Sequence, residues 1–151
     1  FLGFVSDEQK RHLMGNADIV CSPAMYGESF GIVPLEAMAM GAPVVAGNNM
    51  GYQVVMTGVG RLGLVDAKST LDFTNRLALI LSEPAVENML RKWSATESKK
   101  YDYPKIVDQY EAAYKEALKL LSEIKNGKQD TKANEPKAKK VVRRIFVRRH
   151  A

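Results

Sequence analysis

Gly27-Glu28-Ser29-Phe30-Gly31-Ile32-Val33-Pro34-Leu35-Glu36-Ala37-Met38-Ala39-Met40-Gly41-Ala42-Pro43-Val44-Val45-Ala46 decides the fold of this chain. It reads as a polar loop, a glycine at a helix start, an acidic residue further into that helix, a Gly-Ala-Pro exit and a β-branched strand. Pro34 is tolerated in the first helical turn, where N–H groups have no intrahelical partner. Gly41 closes the helix and Pro43 prevents its continuation. Two carboxylates eight residues apart would mean little alone. Their setting, between a strand and a second buried strand, is that of an anion site at the carboxyl edge of a parallel sheet.

The flanks extend this pattern. Phe1–Val5 reads as the end of a strand, and Ser6 as an N-cap ahead of acidic first-turn residues, with a helix running to about Gly15. Ile19-Val20-Cys21 reads as a short strand feeding a loop over Ser22 to Ser29. The helix after that loop is expected from about Gly31 to Met40, and Val44-Val45-Ala46 is a buried strand. A turn-rich Gly47 to Gly51, a short helix over Tyr52 to Met56 and a last strand at Arg61–Val65 follow. Leu71 to Leu81 support a helix ended by Pro84; Met89, Leu90 and Trp93 support another, to about Tyr101. Tyr103-Pro104 opens a long amphipathic helix with Ile106, Val107, Tyr110, Tyr114, Leu118 and Leu121 at helical spacing. Strands separated by helices give an α/β class with a Rossmann-like parallel sheet.

The donor-like loop, with Leu2-Gly3-Phe4-Val5-Ser6-Asp7-Glu8-Gln9-Lys10 and Asn16-Ala17-Asp18-Ile19-Val20-Cys21-Ser22-Pro23, resembles the donor half of retaining glycosyltransferases. These are the GT-B enzymes of family 4, the glycosyl transferases group 1, and Glu28 and Glu36 match their E-x7-E motif. Within them, the Val-x-Asp-x-x-Lys order and the Gly-Glu-Ser-Phe-Gly-Ile-Val string resemble the phosphatidylinositol mannosyltransferases. The likeness covers about residues 1 to 125. It implies transfer of a hexose, such as mannose, from a nucleotide diphosphate sugar to a hydroxyl with the anomeric configuration kept. It further implies that no metal or other cofactor is needed, and that a lipid or saccharide is the acceptor. A complete GT-B enzyme has two Rossmann-like halves. The chain is therefore expected to be a fragment, inactive alone, without the acceptor half and without the Arg and Lys that bind the donor diphosphate in the family.

Roles follow from the residues and from the resemblance together. Backbone N–H groups of Phe30, Gly31 and Ile32, at a helix N-terminus, suit phosphate or sugar oxygens, and Gly31 permits close approach. Ser29 belongs to the same donor-binding string. A carboxylate such as Glu36 is able to accept both hydroxyls of a ribose, the role the family gives its second Glu. The first Glu of the family contacts the transferred hexose, which makes Glu28 the expected catalytic residue, supporting positive charge on the sugar instead of attacking it. By resemblance, Val5 meets the nucleobase through its backbone, with Asp7 and Lys10 adding side-chain contacts. Asp accepts from guanine N–H groups and Lys donates to its carbonyl oxygen, which favours GDP-mannose over UDP-sugars. The bland alternatives stay open: Glu28 as a solvated loop acid, Glu36 as an exposed helix acid, Asp7 and Lys10 as a helix start followed by a surface lysine.

Other classes find less support. No stretch of about 18 apolar residues exists to span a membrane. Gly58-Val59-Gly60-Arg61-Leu62-Gly63 fits a dinucleotide fingerprint only by register, because it precedes a strand instead of following one. His12 and His150 have no neighbour at ligand spacing, so no metal site is read. A single cysteine, Cys21, gives no intrachain disulfide and fits a reducing, cytoplasmic setting, as a packed, inert thiol. An epimerase on the same fold and a non-catalytic module binding anionic surfaces remain as rival functions.

The net charge of +5 is unevenly placed. Residues 126 to 151 hold nine Lys and Arg against two acids, while residues 1 to 125 hold thirteen against fifteen. The chain is thus read as a partial nucleotide-sugar-binding domain, 1–125, and a basic tail, 126–151, either disordered or amphipathic. Basic residues between 137 and 149, interleaved with Val141, Val142, Ile145 and Phe146, suit an anionic membrane surface, as at the inner face of a plasma membrane. A specific nucleic-acid partner is not expected, since Phe146 is the one aromatic residue in that stretch.

Overall fold

The computed structural model describes residues 1–125. The readings placed on the tail, including the basic apolar stripe at 137–149, lie outside the described residues. Among the described residues the order is α1 (Asp7–Gly15), β1 (Val20–Ser22), α2 (Ile32–Ala39), β2 (Val44–Gly47), α3 (Met50–Val55), a 3-10 turn (Gly58–Gly63), β3 (Leu64–Val65), α4 (Thr70–Ser82), α5 (Pro84–Glu97), a second 3-10 turn (Ser98–Tyr101) and α6 (Tyr103–Lys125). Two compact units separate after Lys100.

The first unit is an α/β layer built on a parallel sheet in the order β1-β2-β3. Val20, Cys21 and Ser22 pair with Val44, Val45 and Ala46, and Ala46 and Gly47 pair with Leu64 and Val65. Every residue of the central strand β2 is buried, as a strand covered on both faces requires. α2 packs on β1 and β2, and α4 on β2 and β3. Val45, Val65, Ile80 and Leu90 form the core, with Ile19, Leu62, Phe73, Leu77 and Val86 packed around them. Because the strands are parallel, the loops leaving β1 and β2 emerge at one edge of the sheet.

Local signals account for the helix ends. Ser6 and Gln9 form a capping box at α1: the Ser6 Oγ accepts from the Gln9 N–H at 3.2 Å, and the Gln9 Oε1 accepts from the Ser6 N–H at 2.9 Å. The first bond of α2 runs from the Leu35 N–H to the Gly31 carbonyl, at 3.1 Å, so Pro34 gives up no helical bond. α2 ends as expected at Gly41, which has φ +75°. There the Gly41 N–H donates to the Met38 carbonyl and the Ala42 N–H to the Ala37 carbonyl, the Schellman arrangement. Pro84 both follows α4 and opens α5 as its first residue.

Three expectations are corrected. Phe1–Val5 forms no strand: it pairs with none of β1 to β3, and Phe1 and Phe4 are fully exposed. A strand without a neighbouring ladder has nothing to hold it extended. The strand expected at Arg61–Val65 shrinks to Leu64–Val65, because Gly58–Gly63 winds into a 3-10 turn. In that turn a side chain at Gly60 would enter the Trp93 ring and one at Gly63 would meet the Val44 carbonyl, so those glycines serve packing. Cys21, expected to be packed, is exposed on its strand. Partial desolvation by its surroundings still raises the thiol pKa from its ordinary 9.0, which disfavours the reactive thiolate.

The second unit, over the described residues, is mainly α6. Tyr110, Tyr114, Leu118 and Leu121 lie along it and are exposed. Lys115 pairs with Glu111 at 3.3 Å one turn earlier. No helix among the described residues is long and apolar enough to cross a membrane.

Candidate donor site

The structure brings three of the sequence-derived candidates together. The Lys10 Nζ donates to the Glu36 Oε1 at 2.8 Å and lies 3.3 Å from the Asp7 Oδ1. Asp7 and Lys10 sit on the first turn of α1, which packs against α2 and so faces Glu36, 26 residues away. Lys10 and Glu36 are each about one third exposed, at 35% and 38%, which leaves both within reach of a ligand. The Glu36 carboxylate, with help from Asp7, raises the Lys10 pKa above the ordinary 10.5 and keeps it cationic. Val5, half-buried, precedes the Ser6 cap of the same helix.

A second group lies at the other end of α2. Gly31 caps this helix at φ +102° and ψ 54°, with no side-chain hydrogen bond, and Ile32 and Val33 follow as exposed residues. The N–H groups of a first helical turn have no intrahelical acceptor and carry the positive end of the dipole. By contrast α1, α3 and α4 have their N-termini closed by the side chains of Ser6, Asn49 and Ser69. Glu36 stands five residues beyond Gly31, roughly 7 Å along the axis at 1.5 Å per residue. The α2 helix thus offers a carboxylate a turn in and backbone donors at its start.

Two details add to the sequence reading. Gly31 is buried, and a side chain there would come within 2.9 Å of the Tyr52 ring and 3.1 Å of Val55. Backbone conformation and packing against α3 therefore require a glycine here on their own account. Phe30 lies before the cap, and its nitrogen faces Gly51, where a side chain would come within 2.9 Å of it. Glu28 and Ser29 are exposed on the same loop. The Glu28 backbone carbonyl rests on Gly51.

Sequence reasoning missed the platform under this loop. Asn49 caps α3 by accepting from the Tyr52 N–H at 3.0 Å, and its amide donates to the Ala24 carbonyl at 2.9 Å. Ser22 and Tyr52 share a buried hydrogen bond between hydroxyls at 2.7 Å. The available signal was Asn49 three residues ahead of Tyr52, an N-cap spacing that starts α3 at Met50 instead of Tyr52. Among the described residues no group of three or more His, Cys, Asp or Glu is placed to hold a metal ion.

The family model for glycosyl transferases group 1 matches residues 1–100. The chain belongs to this family. A phosphatidyl-myo-inositol mannosyltransferase of Mycobacterium leprae is 35% identical over 115 residues, 76% of this chain and 30% of the relative. A protein of the same name from Propionibacterium freudenreichii is 51% identical over 57 residues, 38% of this chain and 15% of its own. A D-inositol 3-phosphate glycosyltransferase of Kribbella flavida is 35% identical over 107 residues, covering 70% of this chain and 25% of the relative. The chain thus spans less than a third of the length of these curated relatives of the group 1 family.

Proposed function

We propose that this domain binds the donor in a retaining hexosyl transfer, from a nucleotide diphosphate sugar to a hydroxyl of the acceptor. The carrying observation is the Lys10–Glu36 pair on α1 and α2, on the helix whose glycine-capped N-terminus follows the Glu28 loop. In this reading Glu36 accepts the ribose hydroxyls while Val5, Asp7 and Lys10 face the base. The backbone of Phe30 to Ile32, with Ser29 beside it, meets the diphosphate and sugar. Glu28 supports the positive charge that grows on the sugar as its bond to the diphosphate lengthens. The anomeric carbon–oxygen bond to the diphosphate breaks and the acceptor oxygen takes its place on the same face. The acceptor proton passes to the departing phosphate oxygen.

GDP-mannose is the proposed donor, supported by the mannosyltransferase names of two relatives, and an inositol-bearing lipid the proposed acceptor. The transfer is proposed to run without a resident metal, so a chelator should leave turnover unchanged. A cytoplasmic setting with peripheral membrane contact through residues 137–149 belongs to the same proposal. It predicts binding to anionic vesicles that falls steeply with added salt, since charges act within a Debye length of about 8 Å at physiological ionic strength. Equal binding to neutral vesicles would remove the electrostatic part.

Calorimetry on the full-length protein tests the site. Glu36→Ala should cost GDP affinity by about 1.5–3 kcal/mol, as for hydrogen bonds to a charged group. Glu28→Gln should lower turnover and leave GDP affinity unchanged, because GDP lacks the hexose. Unchanged GDP affinity in Glu36→Ala, or a matched loss of GDP affinity and turnover in Glu28→Gln, overturns the assignment.

A further inference from the structure

Residues 23–30 carry Glu28 through a stretch with neither helix nor strand. Such a loop holds a carboxylate in place only if its backbone is fixed from outside. One side chain touches both of its ends. The Tyr52 hydroxyl bonds the Ser22 hydroxyl at 2.7 Å, at the residue where β1 gives way to the loop. The edge of the same ring stands where a side chain at Gly31 would come within 2.9 Å, at the residue where the loop gives way to α2. Tyr52 is 2% exposed and Ser22 is buried as well, so neither hydroxyl has water as a ready substitute. The middle of the loop rests on the neighbours of Tyr52 in α3: Asn49 donates to the Ala24 carbonyl, and Gly51 lies under the Glu28 carbonyl and the Phe30 nitrogen.

We propose that Tyr52, through Ser22 and Gly31, is the positioning residue that sets where the Glu28 loop stands over the transferred sugar. The part concerning the sugar rests on the transferase reading above. The ring alone would fill the space beside Gly31, as a phenylalanine would. Among the described residues the hydroxyl bonds Ser22, at the loop entry. Lys10 sits on α1 and Glu36 further along α2, outside the loop over 23–31, so the base and ribose end should be indifferent to Tyr52.

The test uses Tyr52→Phe, Ser22→Ala and the double variant in the full-length protein, with two readouts. Amide hydrogen exchange should rise about tenfold across residues 23–31 and stay unchanged at Val44–Gly47, the size and locality expected for one lost hydrogen bond. Hexose transfer from GDP-mannose should fall about tenfold in kcat while affinity for guanosine, which has the base and ribose but no diphosphate, stays unchanged, and the double variant should be no worse than either single one, since all three remove one bond. Exchange that rises throughout the first unit, or transfer and guanosine affinity that fall together, would reduce Tyr52 to a general core residue and overturn the proposal. So would a loosened loop with wild-type transfer. If Tyr52→Phe does not fold, Ser22→Ala removes the same bond and leaves the ring. If the wild-type protein binds neither GDP nor GDP-mannose, the transferase reading fails, while the exchange result still decides whether Tyr52 holds the loop.

Discussion

The two sides of the first unit hold their shape by different means. Around α4 and α5, apolar side chains fill the space: Val45, Val65, Ile80 and Leu90 are each no more than 2% exposed. Around the loop over 23–31, Tyr26 is 80% exposed and Met50 85%, and the loop is fixed by hydrogen bonds and by glycines that let backbone meet backbone. Apolar burial is non-directional and scales with area, so it stabilises without dictating where an atom sits. Hydrogen bonds contribute little net stability each, but fix distance and angle. If the loop holds Glu28 against a sugar, as proposed, it needs the second kind of support more than the first.

The largest expected effect breaks the packed side. Leu90 is fully enclosed on α5, and Leu90→Ala would leave a cavity against Val45 and Ile80. Such changes cost about 2–5 kcal/mol. Urea denaturation should show that loss, while GDP affinity of the folded protein should be unchanged. A parallel fall in affinity would mean that the two sides do not act independently.

How much of this was legible in the sequence follows the same division. Local devices could be read directly: the Ser6 cap, Pro34 in the first turn of α2, Gly41 with Pro43 at its end, and the β-branched run of β2. Each depends on residues within a few positions of one another. The pairs that build the candidate site do not. Lys10 reaches Glu36 across 26 residues and Ser22 reaches Tyr52 across 30. Periodicity carries no trace of which hydroxyl or carboxylate will face another once α1, α2 and α3 pack. Glu28, Glu36, Asp7 and Lys10 could be named one by one from a motif, and the pairing of Lys10 with Glu36 needed coordinates. Phe1–Val5 failed for the complementary reason: a strand is a property of its neighbours as much as of its own residues.

A middle-sized effect is expected on the loop side. Gly31→Ala would place a side chain at φ +102° and press it toward the Tyr52 ring. Left-handed backbone at a non-glycine residue costs of order 1–3 kcal/mol. The same change should also shift the start of α2, so donor affinity should fall by more than the stability loss alone predicts. Chemical denaturation and calorimetry on one preparation would separate the two. A variant that loses stability and keeps wild-type affinity for GDP and GDP-mannose would show that the loop end tolerates movement, and the contrast between the two sides would weaken.

The smallest effect concerns the charged pair that links α1 to α2, and its sign follows from titration. The Glu36 carboxylate, as acceptor of a 2.8 Å hydrogen bond, is the main cause that raises the Lys10 pKa above 10.5 in the folded protein. Below 10.5 the amine is protonated in both folded and unfolded states, and the pair's stabilisation is fully present. As pH rises past 10.5 the unfolded chain releases its proton first, so the folded state loses its advantage until Lys10 itself deprotonates. The stability of the wild type and of Lys10→Met should therefore differ by a constant small amount from neutral pH upward, and converge above 10.5. Partial exposure of both side chains screens the interaction, so added salt should shrink the difference as well. Curves that remain apart above 10.5, at any salt concentration, would assign the effect to packing of the lysine stem instead of its charge. The α1–α2 contact would then resemble the packed side of the domain more than the loop side.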